Sequence, residues 1–376
     1  MKRIFLSLCL VAAVGLTACH DDPDDPENPG GNNPQEEVIP TGEGIYNPGK
    51  HISVMTHNGG MTSDEWLWQD RRLRSINTTD ADGNLTDVQT YIYDGWRLSN
   101  ASLSGGAIPG TASYTYTDNK LSSLNITTSG IHAATAEVVH TGEKITHLDI
   151  NVDNDFIQLM MSMTGGMGYK NIATSTFGQE LCAGMASIAP VAALSGKHGD
   201  SKYSVNSTDF DVDLVWDGNN VKRVLLVGQI ELGVTVDELS QMSQFLPVDS
   251  LFSEYATFLQ ALAGDRELPV SITLRDSMEY SYDNQTNPLK GFFGQVDAAV
   301  LSANNVLSLY SNITASGVLT IPIYGTYSIS VPFSLPIGGV STQTYTYTYD
   351  AAGYPSSVED SEGNLTTYNY QENQSK

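Results

Sequence analysis

The sequence predicts a mainly β chain, a long antiparallel meander of repeated hairpins interrupted by about four short helices in two insertions. Three observations carry this. Tyr345, Tyr347 and Tyr349 alternate with Thr344, Thr346 and Thr348, so an extended strand puts three rings on one face and three hydroxyls on the other. The same strand and turn grammar returns through most of the chain. The composition, 34 Gly and 19 Tyr with only 16% charged residues, suits strands and turns better than helical bundles.

The C-terminal stretch sets the pattern. Asp350 to Gly353 are turn residues, a polar run follows, and Glu362-Gly363-Asn364 turns again before Leu365, Tyr368 and Tyr370, which reads as strand, turn, strand, turn, strand. Upstream, Asp82-Gly83-Asn84-Leu85 leads into Tyr91-Ile92-Tyr93-Asp94-Gly95 with Arg97-Leu98. Tyr114-Thr115-Tyr116-Thr117-Asp118-Asn119 follows with Leu121. Weaker copies are Val215-Trp216-Asp217-Gly218-Asn219 with Val221, and Tyr280-Ser281-Tyr282-Asp283 with Leu289. Self-similarity of this kind marks an array of one small unit, here a hairpin.

These residues resemble the tyrosine-aspartate (YD/RHS-like) repeats of bacterial surface and toxin-shell proteins. Tyr280 to Phe292, followed by Leu301-Ser302-Ala303-Asn304-Asn305, is similar to an uncharacterised lipoprotein family of Gram-negative gut bacteria. The resemblance covers most of the chain after Pro48 and implies a porin-like antiparallel meander, strongly curved or closed. It carries over no activity and no catalytic residue. Between Asp153 and Gly199 the repeat disappears.

The N-terminus reads as a lipoprotein signal peptide over residues 1–18. Lys2 and Arg3 precede an apolar run from Ile4 to Gly15, and Leu16-Thr17-Ala18-Cys19 resembles the bacterial lipobox, cut before Cys19. The apolar run falls short of the roughly 20 residues that a spanning helix needs. Cys19 is the predicted lipidation site and the route to the membrane. His20 to Glu27, rich in aspartate, resembles the signal that exports such lipoproteins to the outward-facing leaflet of the outer membrane, with the periplasmic face as the alternative. Residues 19–46 form an acidic, self-repelling tether with little to bury.

Residues 47–376 are expected to form a single β-rich domain. Seven or eight short strands are read between His51 and Asn151, with turns near Asn58-Gly59-Gly60, Asp82-Gly83, Asp94-Gly95, Gly105-Gly106, Asp118-Asn119 and Thr141-Gly142. Trp66, Trp68 and Trp96 are expected to cover one face. The period then changes near 153–190 and again near 235–264: Phe156, Ile157, Met160 and Met161, and later Leu251, Phe252, Tyr255, Phe258, Leu259 and Leu262, fall at helical spacing. These helices need an apolar partner, and the curved inner side of the sheet offers one. From Leu268 the chain is strand and turn to its end, with Pro322, Pro332 and Pro336 pointing to edge or irregular ladder.

Charge excludes some partners. The 18 basic residues less Lys2 and Arg3, against 43 acidic ones, leave the processed chain near −27, which disfavours nucleic acid and anionic surfaces. Of three cysteines, Cys9 leaves with the signal and Cys19 takes lipid, so Cys182 is alone and reads as core.

No motif selects a catalytic, metal or cofactor site. Thr78-Thr79-Asp80-Ala81-Asp82-Gly83 has a calcium-loop core, but Gln89 stands where the bidentate glutamate belongs, and a turn is the plainer account. Asp209, Asp211 and Asp213 share one strand face and read as a solvated ladder before a cation site. The histidines form no H-E-x-x-H pair, and no nucleophile elbow, P-loop or dinucleotide fingerprint occurs. The tyrosine stripes read as cross-strand pairs before sugar platforms. The resulting expectation is a non-enzymatic, lipid-anchored outer-membrane or cell-surface protein, with a glycan or an outer-membrane protein as partner. Alternatives are a carrier for an apolar or acyl ligand in the concave sheet, suggested by Met160, Met161, Met163, Met167 and Met185, and a glycan-active hydrolase built on two carboxylates.

Overall fold

The structure is a computed structural model. It describes residues 8–9, 50–69, 72–95, 97–105, 109–128, 130–154, 156, 204–236, 264, 266–290, 295–296, 298–324 and 327–371. Sixteen strands follow in chain order. The first nine are β1 His51–His57, β2 Thr62–Gln69, β3 Arg72–Asp80, β4 Leu85–Asp94, β5 Arg97–Gly105, β6 Gly110–Thr117, β7 Lys120–Thr128, β8 Ile131–Thr141 and β9 Lys144–Val152. The remaining seven are β10 Ser204–Asp217, β11 Asn220–Val234, β12 Leu268–Tyr282, β13 Val306–Tyr324, β14 Tyr327–Tyr349, β15 Pro355–Asp360 and β16 Leu365–Gln371. Each pairs antiparallel with the next, and β16 returns to β1 through Thr366↔His57 and Tyr368↔Met55, closing a 16-strand barrel. Apart from it, Leu8–Cys9 pairs with Gln295–Val296.

Closure gives the sheet an inside and an outside. The buried apolar side chains from β1 to β13 form one cluster, joined by partly buried residues of β14 and β16. Leu124, Ala136, Ile150, Phe210, Gly228, Leu274 and Ala315 are successive cross-strand neighbours on that face. A face shared around the whole circumference meets itself only across the lumen, so the apolar face is the inner one. The opposite parity is mostly polar: Ser123, Asn125 and Thr127 on β7, Asp209, Asp211 and Asp213 on β10, and Ser271, Thr273, Arg275 and Ser277 on β12, with Leu67, Ile92, Val139, Val215 and Tyr310 exposed among them. A bilayer-spanning barrel needs the reverse, an apolar band outside and polar residues within. In this barrel the outer face is built for water.

The wall is uneven in height. Strands β1 to β9 run 7 to 11 residues, whereas β10 to β14 run 14 to 23. At about 3.3 Å per residue, one side stands roughly twice as tall as the other. On the tall wall, large rings lie over cross-strand glycines. A Cβ on Gly228 would come within 2.6 Å of the Phe210 ring, and one on Gly317 would meet Phe333. These gaps let the aromatic side chains lie flat on the inner wall.

Alternation of direction sorts the connections into two rims. The turn rim carries the short links after β2, β4, β6, β8 and β10, the link from β12 to β13, the 350–354 turn and both chain ends. The opposite, insertion rim carries the long links from β9 to β10 and from β11 to β12. Phe156 and Val236, the described residues just beyond β9 and β11, are buried in the inner cluster. The predicted helices beyond them, with Trp96, Cys19 and Cys182, lie outside the described residues.

Six of the seven strand pairs joined at the turn rim repeat one device, the β8–β9 pair being the exception. An aromatic near the end of the outgoing strand sits at a register shift: Trp68, Tyr93, Tyr116, Trp216, Tyr282 and Tyr349. Such bulges tighten local twist at barrel rims. Four of these rings donate across to the preceding strand: Trp68 Nε1–H to the Ile52 carbonyl at 2.7 Å, Tyr116 Oη–H to Leu98 at 3.0 Å, Trp216 Nε1–H to Ile145 at 2.7 Å, and Tyr282 Oη–H to Val221 at 2.5 Å, while Tyr349 donates to Asp283 instead. The basic residue that opens the returning strand reaches forward to the next hairpin. Arg97 binds Asn119 and lies over Tyr116, Lys120 donates to the Gly142 carbonyl at 2.6 Å, and Lys144 donates to Gly218 and lies over Trp216 at 5.1 Å. The rim is therefore a chain of latches running hairpin to hairpin.

Two expectations change. Nine strands, rather than seven or eight, lie between His51 and Val152. No glycine stands between β2 and β3 to mark their boundary in the sequence, and β7 and β8 are two Thr-rich runs that alternation reads as one. The stretch after Leu268 also holds a helix, α1 Ala298–Leu301, whose Ala298 and Val300 are buried. The proline reading holds in part. Pro332 pairs with Val318 on the β13 side, while among the described residues β15 meets β14 only over Tyr345–Tyr349, so Pro332 and Pro336 lie along an open margin.

Candidate functional site

The residues singled out from the sequence separate in space. Asp209, Asp211 and Asp213 lie on the outer face of β10. Asp213 Oδ1 meets His147 Nδ1 at 2.8 Å, and Asp209 Oδ1 accepts from Asn151 Nδ2 at 2.7 Å. They are cross-strand partners on a solvated face. Asp80 is not poised for a cation, because its Oδ1 accepts the backbone N–H groups of Asp82 at 3.0 Å and Asn84 at 2.8 Å. Asp360 repeats that turn with Glu362 and Asn364. Among the described residues no group of three His, Cys, Asp or Glu is placed to hold a metal ion.

The tyrosine stripes line the inner wall. Tyr347 and Tyr349 stack at 5.9 Å between centroids, Tyr368 and Tyr370 at 6.4 Å. Burial pushes the Tyr368 phenol up to about 12. With Trp66, Trp68, Tyr91, Tyr93 and Tyr114 they make the half of the wall around the chain ends aromatic. The half from β7 to β13 is mostly Leu, Ile, Val and Ala.

Two polar features interrupt this wall, and sequence reasoning missed both. The first is a strip near the insertion rim. His57 on β1 meets Thr366 Oγ1 on β16 through Nδ1 at 2.9 Å and Asp64 Oδ2 on β2 through Nε2 at 3.0 Å. Thr78 on β3 donates its hydroxyl to Asp64 Oδ1 at 2.7 Å. The strip ties four strands across the seam where the two ends of the barrel meet. Asp87 on β4 stands next in register to Thr78. Its carboxyl is buried, burial raises its pKa, and its Oδ1 has no hydrogen-bond partner.

The second lies on the tall wall. Asp276 on β12 is 3% exposed and sits between Leu226 and Ile313 on the neighbouring strands. Its Oδ1 accepts the Ser311 hydroxyl at 2.9 Å, while Oδ2 is buried without a partner. Burial in apolar surroundings raises its pKa, more than the hydrogen bonds from Ser311 and the nearby backbone lower it. The signal was present in the sequence: Asp276 shares strand parity with Val270, Ile272, Leu274 and Met278, where every other residue is apolar.

No family model matches the chain, and no curated protein matches it. Among solved structures, it is similar to a porin-like protein from Bacteroides uniformis at 11% identity, over 86% of this chain and 99% of that one, with a TM-score of 0.26.

Proposed function

We propose that the protein is a non-enzymatic binding module of the outer membrane, anchored by lipid on Cys19 and standing in water, with an apolar lumen that receives an apolar guest. The inverted polarity of the barrel carries this reading. Its outer face is mainly Ser, Thr, Asn and Asp, with scattered Leu, Ile, Val and Tyr that form no continuous band for lipid, while its inner wall is Leu, Ile, Val and Tyr. An eight-strand barrel is just filled by its own side chains, and doubling the strand number encloses far more volume than the wall can fill. That volume is lined for apolar contents.

The anchor follows from the Leu16–Cys19 pattern and the acidic tether, which joins the barrel at Lys50 on the turn rim. That rim also carries Arg72, Arg97, Lys120, Lys144 and Lys222, whereas Asp80, Asp82, Asp153, Glu267 and Glu362 mark the insertion rim. The barrel thus presents its more acidic end away from an anionic membrane. Outward exposure at the cell surface is the favoured address, with a glycan or an outer-membrane protein meeting the insertion rim. A second reading is favoured by Phe156 and Val236 on the inner wall: the chain's own insertions occupy the lumen, and the rim loops alone bind.

Growth with a clickable palmitate analogue tests the anchor. The wild-type protein takes label and partitions with outer membrane, and Cys19→Ser takes none and is released. Label on Cys19→Ser would overturn it. Native mass spectrometry of protein purified from its own membranes tests the lumen. A reproducible mass increment from a co-purified apolar molecule supports the guest, and a bare polypeptide mass that also fails to bind an apolar dye supports the second reading.

A further inference from the structure

The apolar inner wall carries buried charge. Its aliphatic half is interrupted by Asp276, 3% exposed, whose Oδ1 is held by Ser311 while Oδ2 lacks a partner. An ionised carboxylate in such surroundings is costly unless a donor, and best a cation, meets it. Among the described residues no basic side chain supplies one. Arg72, Arg97, Lys120, Lys144 and Lys222 open strands at the turn rim, and Arg275, the neighbour of Asp276 in sequence, is exposed on the outer face. The second buried, incompletely paired carboxylate on the inner wall, Asp87, has the same sign.

A fatty carboxylate with its head at this seat would find a like charge and, among the described residues, no counter-charge, since the inner wall's basic groups, His57 beside Asp64 and Arg74 over Tyr93, lie on the aromatic half. A long-chain alcohol would gain one neutral hydrogen bond. A protonated amine on an alkyl chain would satisfy Oδ2 with a charge-assisted bond while its chain lies along Leu226, Leu274 and Ile313. We propose that Asp276 and Ser311 form the head-group seat of the lumen and that the guest is a single-chain amphiphile with a cationic amine head. This rests on the lumen being a binding site, as proposed above, and adds the chemistry of what it takes.

The test uses the Cys19→Ser chain in detergent-free buffer with N-phenyl-1-naphthylamine as the apolar dye. Dodecylamine, dodecanol and laurate compete below their micellar concentrations. The expected result is that dodecylamine displaces dye at about tenfold lower concentration than dodecanol, with laurate weakest, a tenfold step matching about 1.4 kcal/mol. Asp276→Asn brings amine and alcohol within about twofold, Ser311→Ala narrows the gap partway, and Asp211→Asn on the outer face leaves it intact. Dye binding with no preference among the three heads would overturn the head-group seat alone, as would a preference that survives Asp276→Asn. Failure of the dye to bind would overturn the lumen reading beneath it.

Discussion

Asp276 and Asp350 are both aspartates on the same barrel, yet they respond to pH with opposite signs. Asp276 has its pKa raised by burial, so its contribution to stability is fully present below the ordinary carboxylate value of 3.8 and is lost as pH rises through the folded value. Asp276→Asn keeps the acceptor for Ser311 and removes the buried charge. It is expected to raise the unfolding free energy at pH 7 by about 1 to 3 kcal/mol, with the gain shrinking toward pH 3.5. Asp350 has its pKa lowered by the hydrogen bond from Lys50 at 2.8 Å and by the Tyr354 and Ala352 backbone N–H groups. Its contribution is present above 3.8 and lost as pH falls through the depressed value. Asp350→Asn is expected to cost about 0.5 to 1 kcal/mol at neutral pH, an effect that fades in acid. Denaturant melts at pH 7, 5 and 3.5 separate the two, and a shared sign would refute the assigned environments.

At the scale of the hairpin, stability resides in backbone shape and in the latches. Gly105 has φ +94°, and a Cβ there would run into the Thr86 carbonyl oxygen. Gly105→Ala is expected to cost about 1 to 3 kcal/mol from strain and clash together, whereas Gly59→Ala, at φ +69° with open space around it, pays only the conformational term. Trp216→Phe keeps the ring under Lys144 but removes the donor to Ile145, for an expected loss of about 0.5 to 1.5 kcal/mol. Equal cost for the two glycine variants in thermal melts would show that the Thr86 contact is relaxed. Much of this scale was legible in the sequence. The Tyr345 to Tyr349 alternation gave a strand with its rings on one face, and Asp94-Gly95, Asp118-Asn119 and Asp217-Gly218 marked turns that form. The latches were not legible, because Arg97 meets Asn119 and Lys144 meets Gly218 only once neighbouring hairpins are in register. His57 looked solitary for the same reason, since it meets Thr366, 309 residues away, and Asp64, 7 residues away, only once β1 is paired with β16 and β2.

For the whole molecule, alternation announces two faces but does not say which one meets the lumen. That is decided by closure, which depends on β16 finding β1 across the length of the chain. The position that most clearly betrayed the inner wall's chemistry, Asp276, was visible as a carboxylate at an apolar parity. Its meaning depended on knowing that this parity faces inward. Once closed, the barrel has a surface of hydroxyls and carboxylates around an apolar interior, and it should behave as a protein of water held near a membrane, not as one dissolved in it. The most direct test is sedimentation of the Cys19→Ser chain, expressed without its signal, in detergent-free buffer at physiological salt. A monodisperse, β-rich species that stays in solution and ignores added lipid vesicles is the predicted result. A chain that aggregates until detergent or bilayer is supplied, and then inserts, would contradict the inward orientation of the apolar wall.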